Sequence, residues 1–238
     1  MAMATRTEEP LAGFPGIYEI SEAARYLRAD IRIPEVHYRV QSTHLIRWIR
    51  SGLAHPALAV VPGRELLITF EDLISMRVIA FLRAQGYSFK KIRQAELMLR
   101  NLTRHPRPFA TSHIWAEEEG ALDIFAEIGA LLLTASRSGQ VAFKELVKQN
   151  LIDVHGLTFD QLKVADSWTP RQGIKLHPRI QFGRSCISGT RIPTQDIAGM
   201  VAAGDKIQFL AMSYGISEQQ IMNAVNWEKE LAATRPTN

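Results

Sequence analysis

SYGISEQQIMNAV, residues Ser213–Val225, sets two helices against each other across three residues. Ser217 predicts a helix start. Its hydroxyl oxygen can accept from an otherwise unbonded amide of the first turn, and Gln220 can reach back to the Ser217 amide. Ile216 and Ile221 stand where a hydrophobic staple needs them. Upstream, Ile207–Tyr214 reads as a short helix, and Gly215 suits the left-handed residue that closes it. A short helix, a tight turn and a longer helix have the spacing of a helix-turn-helix. Ala211 is small where the helices cross. Leu210, Tyr214, Ile216, Ile221 and Ala224 are expected on the inner face. Glu218, Gln219, Gln220 and Asn223 are expected outside, where the Gln219, Gln220 and Asn223 amides can donate to and accept from adenine in the major groove. A corner that only packs uses the same residue types, and the second helix carries Glu218, Glu228 and Glu230 against one base, Lys229.

Just upstream, RIQFGRSCI (179–187) predicts strand, turn and strand, and SGTRIPT (188–194) a loop. Gly189 serves the turn and Pro193 the entry to a helix. Thr190 and Arg191 fit either a functional or a purely structural loop. Thr194 is expected to cap a helix from Gln195 to Ala203, with Gly204 ending it.

The chain has 238 residues, 46% of them hydrophobic, enough for a substantial core and one to three domains. Its single cysteine, Cys186, excludes an internal disulfide and fits a reducing cytoplasm. With no metal-ligand spacing around it, Cys186 is expected to be a buried structural residue. No apolar run approaches the roughly 18 residues of a membrane span. MAMATRTEEPLAG carries no signal-peptide pattern, and residues 1–15 are expected to be a frayed tail. The net charge of +4 is uneven: residues 1–110 hold 16 Lys/Arg against 10 Asp/Glu, residues 111–170 hold 4 against 9, and residues 171–238 hold 8 against 5. Basic ends suit phosphate contact, and the acidic middle suits dimerisation or a basic partner, although solvated faces alone would give the same division.

In the N-terminal third, YEISEAARYL (18–27) predicts a helix capped by Ser21, with Ala23, Ala24 and Leu27 inward. STHLIRWIRSGL (42–53) predicts a second helix, capped by Ser42 or Thr43 and ended by Gly52. Leu45, Trp48 and Ile49 form its apolar side; His44, Arg47 and Arg50 lie opposite. Ala57–Val61 and Glu65–Ile68 read as strands around a Pro62-Gly63-Arg64 turn, a wing with Arg64 at its tip. Thr69 and Asp72 start a long helix, DLISMRVIAFLRAQG, whose apolar residues on nearly all sides require burial. Ser88 starts SFKKIRQAELMLRNL, with Ile92, Ala95, Leu99 and Leu102 at helical spacing. Between Arg77 and Arg107 stand eight Lys/Arg (Arg77, Arg83, Lys90, Lys91, Arg93, Arg100, Arg104, Arg107) and one acid, Glu96, a composition favouring a nucleic-acid footprint.

Residues 105–170 are less legible. Ile128–Thr134 fits strand or helix, Val141–Val147 fits a helix, and GLTFDQLKVADSWTPRQG (156–173) ends in a Pro/Gly boundary near Pro170. His105, His113 and His155 lack metal-ligand spacing, so no metal is expected. No nucleophile with a base, no paired-carboxylate motif and no phosphate-binding glycine loop is present. The chain therefore reads as a non-enzyme without a cofactor.

Helix, helix with Trp48 and the SGL ending, wing, then FEDLISMRVIAFLRAQGYSFKKI (70–92) resembles the MerR-type winged helix-turn-helix domain over roughly residues 16–103. The resemblance implies that His44, Arg47 and Arg50 meet the groove or nearby phosphates and that Arg64 meets the backbone; Lys90, Lys91 and Arg93 join this footprint. The spaced pattern HPRI…GTRIP…YGIS in the last third resembles an uncharacterised domain found in bacterial antitoxins of the VapB type, which accompany PIN-like ribonuclease toxins. The expected fold is mainly α with small β wings: a tail (1–15), a winged helix-turn-helix (16–104), a mixed middle (105–170) and a three-helix, helix-turn-helix domain (171–238). The expected function is a cytoplasmic, dimeric antitoxin that binds its own promoter as double-stranded DNA and neutralises a PIN-like ribonuclease. A MerR-type regulator sensing a ligand in its middle region is the alternative, and a structural adaptor a third reading. On this scheme the last domain is removable without loss of the N-terminal core.

Overall fold

The computed structural model describes residues 15–30, 40–54, 66–84, 86–112 and 156–233. Strand β1, Tyr18–Glu19, runs directly into helix α1, Ile20–Ala29. It pairs antiparallel with β2, Leu67–Ile68, with Tyr18 opposite Ile68. Glu19, not Ser21, therefore holds the N-cap position of α1, because the strand continues to the helix edge. Ala23, Ala24 and Leu27 are fully buried, as their spacing predicts. Helix α2, Ser42–Arg50, is capped by Gln41 rather than by Ser42 or Thr43. The His44 ring closes this cap: its Nδ1 accepts from the Gln41 amide at 3.3 Å. Leu45 and Trp48 are buried completely, and Ile49 packs partly against the core. The first wing strand and Arg64 lie outside the described residues, and only Leu67–Ile68 of the second strand is seen as strand.

Helix α3, Phe70–Ala84, starts as its sequence predicts. The Thr69 amide donates to Asp72 Oδ2 at 2.9 Å, and the Asp72 amide to the Thr69 hydroxyl at 3.2 Å. From Asp72 to Leu82 every side chain is buried. The apolar face has no polar counterpart because neighbours cover the helix on all sides. Helix α4, Phe89–Thr103, is capped by Ser88 and buries Ile92, Ala95 and Leu99.

The last third departs from a three-helix domain. Leu157–Phe159 (β3), Ala165–Arg171 (β4), Ile174–Leu176 (β5) and Ser185–Ile187 (β6) form an antiparallel sheet in chain order. The proposed boundary at residues 170 and 171 falls within β4. Arg179–Gly183 does not form a strand. Gln181–Gly183 is a 3-10 turn, and β6 pairs instead with β5, placing Cys186 opposite Lys175. Helices α5, Thr194–Ala202, α6, Ile207–Tyr214, and α7, Glu218–Ala233, complete the chain's described end. Pro193 occupies the N-cap of α5; the Thr194 hydroxyl is drawn inward, 2.8 Å from Ser185 Oγ and 2.5 Å from Glu228 Oε1. The helical corner forms as its spacing predicts. Gly215 is left-handed at φ 64°, the Ser217 amide donates to Gln220 Oε1 at 2.9 Å, and the Gln220 amide to Ser217 Oγ at 3.2 Å. Leu210, Ile221 and Ala224 are buried, but Tyr214 turns outward and is 39% exposed.

Buried residues of both halves form one continuous core. The described chain is mostly helical, with two small sheets. Among the described residues, no helix is long and apolar enough to cross a membrane.

Candidate nucleic-acid interface

The outer side of α2 follows from its period. Leu45 and Trp48 are three residues apart and face inward, so Arg47 and Arg50, also three apart, face outward. Both arginines are exposed, while His44 is half-buried and spends one ring nitrogen on the cap. The carbonyl of Ser51, one residue past α2, accepts from the Arg93 guanidinium of α4. This bond joins the end of α2 to the first turns of α4, where Lys90 is exposed and Lys91 half-buried. Arg93 is thus brought to the end of the helix that carries Arg47 and Arg50, and Lys90 and Lys91 stand in the first turn of the helix that carries Arg93. The first turn of α4 has no acid to offset its lysines. Cations there oppose the helix dipole, whereas an anion is favoured.

Much of the remaining basic cluster is structural. Arg77 is 3% exposed; it is paired with Asp30 and lies 5.2 Å from the centre of the Trp168 ring. Arg107 pairs with Asp72, and Arg100 with Glu96. Arg83 covers the Phe89 ring at 4.3 Å and donates to the Tyr87 carbonyl at 2.5 Å. The one-sided composition between Arg77 and Arg107 therefore overstates the exposed charge. Internal pairing with Asp30 and Asp72, both remote in sequence from their partners, accounts for the difference.

The C-terminal candidates lie elsewhere and are engaged. Gln220 is committed to the cap of α7. The Gln219 side-chain amide donates to Asn223 Oδ1 at 2.9 Å. Asn223 rests against Gly173 in the β4–β5 turn, where a Cβ would stand 2.7 Å from its Nδ2. Glu230 pairs with Arg171 at 3.0 Å.

A second set of residues was not singled out from the sequence. Tyr26 of α1 stacks on Trp227 of α7, with ring centres 6.1 Å apart and planes inclined by 8°. The Ser185 amide donates to the Tyr26 hydroxyl at 3.4 Å, and that hydroxyl donates to Glu22 Oε1 at 2.9 Å. Arg171 donates to the Ala29 carbonyl at the end of α1 at 2.7 Å. The Tyr18 hydroxyl donates to the Gly183 carbonyl at 2.8 Å. Gly183 is required there: φ is +94°, and a Cβ would meet the Tyr18 oxygen at 2.4 Å. Beside these contacts is a polar cavity of about 90 Å³, lined by Glu22, Arg25, Arg184, Gln195 and Glu228 among others. Burial raises the Glu22 carboxyl above its ordinary range, outweighing the Tyr26 hydrogen bond and the charges of Arg25 and Arg184. Among the described residues no group of three or more His, Cys, Asp or Glu could hold a metal ion.

The chain is similar to known proteins in part and at a distance. Residues 174–227, from β5 into α7, match the family described as "Protein of unknown function (DUF433)". The chain is also similar, at 25% identity over 88% of its length and 92% of the relative's, to "Putative antitoxin VapB45" of Mycobacterium tuberculosis. It is 28% identical to "Uncharacterized protein Rv2308" of the same organism, over 79% of this chain and 84% of that one. The crystal structure of Rv2018 from Mycobacterium tuberculosis has the same fold, with a TM-score of 0.65, 24% identity and coverage of 87% of this chain and 96% of that one. The antitoxin-named relative matches both halves of the chain, so its likeness extends beyond the C-terminal family. The antitoxin-named relative and the family match together support an antitoxin-like protein.

Proposed function

We propose that this chain is the antitoxin of a toxin–antitoxin pair, binding its own promoter as double-stranded DNA and holding a PIN-like ribonuclease inactive. A cytoplasmic homodimer, without catalytic activity of its own, is part of this reading. The observation that carries the DNA-binding half is the outward placement of Arg47 and Arg50 on α2, joined through the Arg93–Ser51 bond to the lysines of α4. Arginine supplies bidentate donors to guanine or phosphate, and a lysine-bearing helix start favours phosphate oxygens. His44 and Arg64 extend the same footprint in this reading, although Arg64 lies outside the described residues. Similarity to an antitoxin-named protein over most of both chains supports the toxin-binding half. Gln219, Gln220 and Asn223 are less suited to reading bases, because their amides are used within the fold.

The ligand-responsive regulator keeps one specific observation in its favour. The polar cavity lies between α1 and the C-terminal helices, so a small polar ligand there would act on the seat of α1. Its position differs from the middle region expected from sequence. Co-expression with the adjacent reading frame separates the two readings. The antitoxin reading expects a stable complex and relief of growth arrest. A chain that binds promoter DNA but neither binds nor neutralises any neighbouring product belongs to the alternative.

A further inference from the structure

Helix α6 exposes more apolar surface than its place in the fold requires. Only Leu210 is buried, while Phe209 is 59% and Met212 79% exposed. These two residues are three apart and share one stripe of the helix. At its ends stand Lys206, the N-cap residue, and Gly215, the C-cap residue, with Glu218 opening α7 beyond. Among the described residues neither Lys206 nor Glu218 has an ion-pair partner.

We propose that this stripe is the contact between two copies of the chain, with their α6 helices antiparallel about a two-fold axis. The inference rests on the homodimer reading above and adds its surface. A two-fold interface requires that residue i meet j and that j meet i. With the axis between Leu210 and Ala211, Phe209 faces Met212 of the partner subunit, and Met212 faces the partner subunit's Phe209. Both contacts place a thioether against an aromatic ring, a favourable pairing. The same symmetry sets Gln208 against Ser213 of the partner subunit. It also brings Lys206 to the partner subunit's Gly215, where the carbonyl end of a helix favours a cation and Glu218 supplies a carboxylate. Apolar spacing and charge are thus both self-complementary, which favours a second copy over an unlike partner. One short helix from each subunit is a small interface, so the dimer is expected to be reversible and concentration-dependent.

Sedimentation of the full chain tests this. Wild-type protein is expected to associate reversibly to a dimer. Met212→Lys and Phe209→Lys are each expected to raise the dimer dissociation constant at least tenfold, with unchanged thermal melting because both side chains are exposed. Lys206→Glu is expected to weaken the dimer severalfold, and Lys206→Glu with Glu218→Lys to restore it. A dimer that survives Met212→Lys and Phe209→Lys unweakened overturns the surface but leaves the homodimer standing. A wild type that stays monomeric at every concentration overturns both. Variants that dimerise normally but no longer hold the co-expressed toxin assign the stripe to the toxin and also overturn the proposal.

Discussion

Tyr26 and Trp227 lie face to face, 6.1 Å between ring centres, and join the first described helix to the last. Both are buried, Tyr26 at 4% and Trp227 at 1% exposure. Aromatic pairs of this kind add about 0.5–1.5 kcal/mol beyond their buried area. Around them, Ser185 holds the Tyr26 hydroxyl and Arg171 holds the end of α1. The helix that seats α2 is therefore itself seated on the C-terminal half.

Removal of residues 171–238 is accordingly expected to leave no folded N-terminal unit. The truncation cuts β4 and strips the cover from Tyr18 and Tyr26. Trp227→Ala is the milder version, with an expected cost of about 3–5 kcal/mol in urea unfolding. A truncated protein with a cooperative melting transition contradicts this integration and restores the separable scheme read from sequence.

Arg77→Ala should destabilise by about 3–5 kcal/mol, because it removes the guanidinium paired with the buried Asp30 carboxylate. Replacing both residues, Arg77→Met with Asp30→Asn, should recover much of that loss, since an ion pair removed as a unit leaves no stranded charge. Denaturation midpoints for the two variants decide the matter. Equal losses in single and double variants are inconsistent with a paired charge.

Arg47→Ala and Arg50→Ala test the outer face of α2. Each should leave stability within about 0.5 kcal/mol of wild type, as exposed substitutions do. If the lost arginine is a phosphate contact, affinity for promoter DNA should fall and the salt dependence should flatten by about one unit of slope. Trp48→Ala should do the opposite, costing about 3–5 kcal/mol of stability. Unchanged DNA affinity in the Arg47→Ala, Arg50→Ala double variant rules this face out.

Glu22 gives a pH signature. Its folded pKa is raised by burial, so the ionised form opposes folding. Stability from this group falls as pH rises from the ordinary carboxylate range through the raised value, and returns on acidification. Glu22→Gln keeps an acceptor for the Tyr26 hydroxyl and removes the charge. It should be more stable than wild type at pH 7 and lose that advantage at acid pH. An advantage independent of pH, measured by denaturant midpoints, contradicts the assignment.

Local signals were the legible part of this fold. The Ser217–Gln220 and Thr69–Asp72 caps, the left-handed Gly215 and the all-apolar α3 each follow from chemistry within four residues. Pairings across the chain were not legible. Arg77 counts as a surface base by composition, yet a charge inside an all-apolar helix must be buried and paired, and that conflict was the available clue. Leu157–Phe159 and Ala165–Arg171 lack clean alternation, because the β4 strand buries both neighbours Ser167 and Trp168. The Tyr26–Trp227 stack joins residues 201 positions apart, beyond the reach of any periodicity. At α2, spacing indicated which side faces outward, but only the Arg93–Ser51 bond brought α4 beside it.

The most direct test of the central claim is the affinity of the full chain for duplex DNA from its own promoter, measured at 50 and 200 mM salt. Four phosphates neutralised by Arg47, Arg50, Lys90 and Lys91 predict tight binding at the lower salt and a loss of at least about a hundredfold at the higher. No binding at 50 mM salt, or an affinity that ignores salt, contradicts the account.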